Sequence, residues 1–154
     1  MKATITICGL ALMVSYSQAQ SIPASDVPQN VLSSFAEKFP NAKVEKWQKE
    51  KNDYEAEFKR AGIEFSAVIS ADGKFMEMEQ EIKTSELPPA IRQSCDKNFA
   101  GYKLHEASRI TDAGGKVTYE AEMKEGKNHF DAIFDFEGNL LSRQSASSKD
   151  EDKD

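Results

Sequence analysis

Two cysteines, two histidines and one tryptophan are all that the 154-residue chain contains of those types. One cysteine, Cys8, lies within the apolar run Ile5 to Val14, which follows Lys2 and precedes Ser17-Gln18-Ala19. A positive start, a short apolar stretch and small residues at the positions a signal peptidase reads define a secretory signal over residues 1–19, cleaved after Ala19. The run falls far short of the ~20 apolar residues that span a bilayer, which argues against a membrane anchor. A lipoprotein signal fits less well still, because Cys8 sits inside the run. Cys95 is then the only mature cysteine, so an intramolecular disulfide is excluded and the fold must hold by its core. No later stretch approaches spanning length, so the mature chain is not expected to insert into a membrane.

Positive charge is also in short supply. Twenty Lys and Arg face 26 Asp and Glu, a formal charge of −6, and losing Lys2 makes the mature chain one unit more negative. That is the wrong sign for nucleic acid or an anionic membrane surface. It suits a cationic partner or plain solubility. His105 and His129 are too few for a zinc site, which needs three or four convergent ligands. Neither a metal nor a cofactor is expected.

What the chain does contain is an internal echo. Val27-Pro28, Val31, Phe35, Phe39 and Val44 correspond to Leu87-Pro88, Ile91, Cys95, Phe99 and Leu104, each 60 positions later. Tyr54-Glu55-Ala56-Glu57 recurs identically as Tyr119-Glu120-Ala121-Glu122, and Phe65, Ala67 and Gly73 recur as Phe130, Ala132 and Gly138, each 65 later. The loop Thr111 to Gly115 absorbs the difference. Each unit begins with an amphipathic helix, its apolar residues four apart. Four strands with alternating apolar and polar residues follow, at about 43–49, 54–58, 63–70 and 76–82, then 103–110, 117–124, 128–136 and 139–145. Asp72-Gly73 is a hairpin turn. The fold class is therefore α+β: a tandem repeat of a helix plus a four-stranded antiparallel sheet. Eight strands form one long curved sheet or two adjoining ones, with both helices on one face. The expected organisation is a signal peptide (1–19), a lead-in (20–26), unit 1 (27–82), unit 2 (87–145) and a disordered acidic tail (146–154).

Candidate chemistry is sparse. Cys95 aligns with Phe35 on a helix stripe and reads as a buried thiol rather than a nucleophile. The pairs Glu55 with Glu57 and Glu120 with Glu122 fall on the solvent side of their strands. They lack the burial that general acid–base catalysis requires, so the chain is read as a non-enzyme. Val68 and Ile133 share that side. Strict alternation from Val44 puts Trp47 there as well, where an aromatic among aliphatics in a polar rim has the look of a binding hot spot. A bulge between Val44 and Trp47 would instead turn the indole into the core.

The helix opening Val27-Pro28, the exit Phe39-Pro40, Trp47, Tyr54 to Phe58 and the closing Asp72-Gly73-Lys74 together resemble the PepSY-like family, also described as β-lactamase-inhibitor-like. The resemblance covers residues 27–145. It implies an exported, usually periplasmic protein with a tandem fold like that of β-lactamase inhibitor protein, whose concave sheet clamps a partner. The second unit departs from the pattern at Cys95, Gly101 and Ala107, and the inhibitor's disulfide cysteines are missing, so β-lactamase inhibition is not carried over. The reading that follows is a non-catalytic binding or inhibitor-like module that engages a protein or basic peptide. Its partner-binding residues would be Trp47, Glu55, Glu57, Val68, Glu120, Glu122 and Ile133. An envelope structural protein that binds a small ligand or cation is the alternative.

Overall fold

The structure, a computed structural model, describes residues 20–145. The expected signal peptide and acidic tail lie outside the described residues. Nine antiparallel strands follow one another across a single sheet in chain order. They are β1 (Gln20–Ile22), β2 (Val44–Glu50), β3 (Asp53–Arg60), β4 (Ile63–Ser70), β5 (Phe75–Ile82), β6 (Lys103–Asp112), β7 (Val117–Glu125), β8 (Asn128–Phe134) and β9 (Leu140–Ser145). Helix α1 (Gln29–Lys38) precedes β2, and α2 (Pro89–Asn98) links β5 to β6.

One expectation is corrected here and one open alternative is resolved. There are nine strands rather than eight, because residues 20–22 of the expected lead-in pair with β2, Ile22 opposite Trp47. A three-residue strand with one apolar side chain has no alternation to detect. It forms because the outer edge of β2 offers unpaired backbone groups. The strands also make one sheet, since β5 pairs with β6 from Glu77↔Asp112 to Ile82↔Ala107.

The helices form where the apolar spacing is four. Val31 and Phe35 of α1, and Ile91 and Cys95 of α2, are buried. Pro28 and Pro88 cap the helix starts, where a missing N–H costs nothing. Past each helix end a left-handed residue turns the chain, Asn41 (φ 69°) after α1 and Gly101 (φ 96°) after α2. Ala42 N–H and Tyr102 N–H then donate to the carbonyls of Phe39 and Phe99, at 3.1 and 3.0 Å. Asparagine and glycine are the residues that tolerate this conformation most cheaply.

Both helices cover the same sheet face, over two clusters of buried side chains. The first is aromatic: Phe35 lies 5.2 Å from Phe39 and from Phe58, and 5.7 Å from Trp47, centroid to centroid. In the second, Cys95, Ala107 and Met123 stand where the first has Phe35, Trp47 and Phe58. Phe134, fully buried, replaces the smaller Ile69. Interiors are close-packed, so volume removed from one wall must be returned from another. Phe134 returns some of it, and the Arg143 guanidinium lies over the Phe130 ring at 3.6 Å.

The open face of the sheet as candidate functional site

The side of β2 that faces solvent is decided by one residue. Val44 pairs with Phe58, but Lys46 pairs with Glu57 and Trp47 with Ala56, so Glu45 is an extra residue in the strand. A bulge resets the alternation. Trp47 therefore faces the helices, 6 % exposed, its ring edge-on to Phe35. The placement of Trp47 on the open face is thereby corrected: strict alternation fails at the bulge, and the indole is a core side chain. The same irregularity occurs in β6, where Leu104 pairs with Met123, Glu106 with Glu122, and His105 is the extra residue. Ala107, two residues on, is buried.

The other six candidates do lie on the face away from the helices. Glu55 is directly opposite Val68, and Glu120 directly opposite Ile133. Glu57 and Glu122 are two residues further along the same strands. All six are half-buried. Two triplets result, Glu55/Glu57/Val68 on β3–β4 and Glu120/Glu122/Ile133 on β7–β8. They lie four strand spacings apart, about 19 Å at ~4.8 Å per strand.

Between and beside them the face is strongly acidic. Glu77 pairs with Val68 on one side and Asp112 on the other, and Glu79 stands between Ser66 and Ile110. Desolvation, then the charges of Glu79 and Asp112, raise the Glu77 pKa above the usual carboxylate value. Near β2 the acids find cations. Lys59 Nζ lies 3.1 Å from Glu64 and 3.4 Å from Glu45. Hydrogen bonds to Glu64 and Glu45 raise the Lys59 pKa. Lys46 Nζ lies 3.9 Å from Glu57, which also accepts a hydrogen bond from Gln48 Nε2.

The corresponding corner of β6–β7 is built differently. His105 Nδ1 lies 3.6 Å from Glu106 Oε1 and 3.6 Å from Glu122 Oε2. One ligand atom from each residue falls in a set whose members all lie within 4.8 Å of one another. Weighing histidine and cysteine alone missed this group. Its trace in the sequence is only a glutamate adjacent to a histidine; the bulge and the register that bring Glu122 to them are set by the fold.

Cys95 of α2 is buried, and burial, followed by the charge of Asp96, pushes its thiol up to about 11. No helix among the described residues is long and apolar enough to cross a membrane.

A continuous antiparallel sheet with two helices on one face and an open polar face on the other defines an α+β sheet-and-helix protein. The sequence matches the family described as "Putative beta-lactamase-inhibitor-like, PepSY-like" twice, over residues 12–77 and 63–142. The chain belongs to this PepSY-like family, and the resemblance read from its motifs is borne out. The two matches overlap at 63–77. Three solved structures share the fold. A protein of Bacteroides uniformis has TM-score 0.68 at 14% identity, covering 80% of this chain and 92% of that one. A protein of Bacteroides eggerthii described as "putative periplasmic" has TM-score 0.68 at 15% identity, covering 79% and 91%. A "BLIP-like" protein of Bacteroides fragilis has TM-score 0.62 at 18% identity, covering 86% and 93%. None of the curated proteins matches the sequence.

Proposed function

We propose that the chain is a non-catalytic periplasmic binding protein that engages a basic protein or peptide through the open face of its sheet. The carrying observation is the pair of matching triplets, Glu55/Glu57/Val68 and Glu120/Glu122/Ile133, in equivalent register four strands apart. Each offers two carboxylates beside an aliphatic side chain. The carboxylates would steer a cationic partner and the aliphatics would exclude water at contact. We read residues 27–82 and 87–145 as two copies of one unit, which accounts for the duplicated patch. Export is supported by the signal-like start and by the description of the Bacteroides eggerthii neighbour. The non-catalytic reading is supported by the buried, poorly acidic Cys95 thiol.

The test compares the protein with a variant carrying Glu55→Lys, Glu57→Lys, Glu120→Lys and Glu122→Lys, each immobilised and exposed to periplasmic extract. Far-UV circular dichroism first establishes that the variant is folded. The parent should retain basic proteins that elute in 1 M salt, where charges beyond ~3 Å are screened, and the variant should not. Retention of the same proteins by both would refute the proposal.

A further inference from the structure

Corresponding positions in the two halves of the sheet carry opposite solutions to the same problem. In the first half, the bulge residue Glu45 pairs with Lys59, and Lys46 faces Glu57. Sixty residues on, the bulge residue is His105 and the lysine is replaced by Glu106. Glu106 is directly opposite Glu122, and Asp131 is next in the same cross-strand row. Like charges directly opposite each other on adjacent strands destabilise a sheet. Among the described residues, the only ion-pair partner of Glu106 and Glu122 is His105.

The bulge brings the donors together. Consecutive strand residues ordinarily point to opposite faces. The extra residue in β6 re-aims its neighbours, so that His105 and Glu106, adjacent in sequence, both reach Glu122. The spacing is informative. At 3.6 Å neither carboxylate makes a hydrogen bond with the imidazole, since such bonds end near 3.2 Å. The edge of a tetrahedron built on metal–ligand bonds of ~2.1 Å is about 3.4 Å.

We propose that His105, Glu106 and Glu122 form a binding site for a divalent transition-metal ion of the zinc class. His105 would ligate through Nδ1 and each glutamate through one oxygen, leaving the fourth position open. Two carboxylates balance the charge of a divalent ion and cancel the repulsion between Glu106 and Glu122. One nitrogen and two oxygens suit zinc or its neighbours. Calcium prefers six to eight oxygens and is poorly served. This inference shares Glu122 with the docking proposal but is argued from the asymmetry between the halves rather than from the duplicated triplets.

The experiment is calorimetric titration of the tag-free protein with zinc chloride, with the histidine side chains followed by NMR. The chain has only two histidines, so the signals are assignable by substitution. One zinc per chain is expected, perturbing His105 and not His129. His105→Gln and Glu106→Gln should each weaken binding at least about tenfold, given that even outer-shell changes cost 10–100-fold. Glu106→Lys, which installs the charge pattern of the first half, should abolish it. His129→Gln should leave it unchanged. The proposal is overturned by absence of saturable zinc binding, by unchanged affinity in His105→Gln, by equal loss in His129→Gln, or by calcium binding as tightly as zinc. The two proposals can fail separately: the zinc variants leave positions 55, 57, 120 and 122 intact, and the capture comparison is run with a chelator present, so that bound metal does not mask Glu122.

Discussion

Replacing Trp47 with alanine tests the bulge, on which the side of the sheet that the indole faces depends. The indole is 6 % exposed and packs edge-on against Phe35 at 5.7 Å. A buried tryptophan removes up to ~250 Å² from water, which at ~25 cal/mol per Å² is about 6 kcal/mol before alanine's own share is returned. Measured Trp→Ala losses in cores are about 3–5 kcal/mol, and a value in that range is expected here. In a domain of this size each kcal/mol shifts Tm by ~3–5 °C, so a fall of roughly 10–20 °C should accompany it. Urea unfolding followed by far-UV circular dichroism measures the loss without relying on the deleted fluorophore. The parent protein supplies an independent check, because Trp47 is its only tryptophan. A core indole should be quenched slowly by acrylamide until the protein unfolds. A loss below about 1 kcal/mol, or quenching in the folded protein as fast as that of free tryptophan, would refute the bulge and return Trp47 to the open face.

Gly73 and Gly138 have nearly equal φ, 85° and 84°, but different room. A Cβ on Gly73 would lie 3.1 Å from the Asn30 carbonyl oxygen, and one on Gly138 only 2.7 Å from that of Ala90. Backbone strain of ~1–2 kcal/mol is common to both alanine substitutions, so Gly138→Ala should cost about 1–3 kcal/mol more than Gly73→Ala for overpacking. Equal Tm losses would contradict this. Cys95, raised from 9.0 to about 11 when folded, contributes stability that is present below pH 9 and lost as pH rises towards 11. The stability difference between the parent and Cys95→Ala should therefore shrink by up to about 2–3 kcal/mol over that interval. A difference constant with pH would refute the burial of the thiol.

The helices and eight of the nine strands were legible because their apolar spacings, four and two, persist over whole elements. Val31 and Phe35 on α1, and Tyr54, Ala56 and Phe58 on β3, sit on the faces their periods assign. Strand β1 was not legible, because its existence depends on a partner edge rather than on its own pattern. Trp47 was ambiguous for a related reason. A bulge inserts one residue without a composition signal, and a single insertion inverts every orientation read past it. The acidic triplets needed only local alternation within unbroken strands, so their side of the sheet could be read. The His105 group could not, since it depends on a bulge and on the register of β6 against β7 together.

The two bulges also locate where this sheet can vary without harm to its core. Two residues past each bulge residue the side chain turns inward, Trp47 in β2 and Ala107 in β6, and the cores accommodate that large difference in volume by separate repacking. The bulge residue itself contacts only the open side and carries no packing obligation. Glu45 joins a surface ion-pair pattern around Lys59, of a kind that contributes little to stability because solvent screens it. His105 sits between two carboxylates that oppose each other in register. A change at such a position alters the chemistry of the face at little cost in stability, whereas the same change two residues later would put a polar group into the core. The triplets on β3–β4 and β7–β8 are alike while the bulge corners beside them differ. A partner that spans the face would therefore meet the same acidic-aliphatic contact twice but different flanking chemistry at the two sites. On the docking reading proposed above, that difference would favour one orientation of the partner across a face that the triplets alone would leave nearly symmetric.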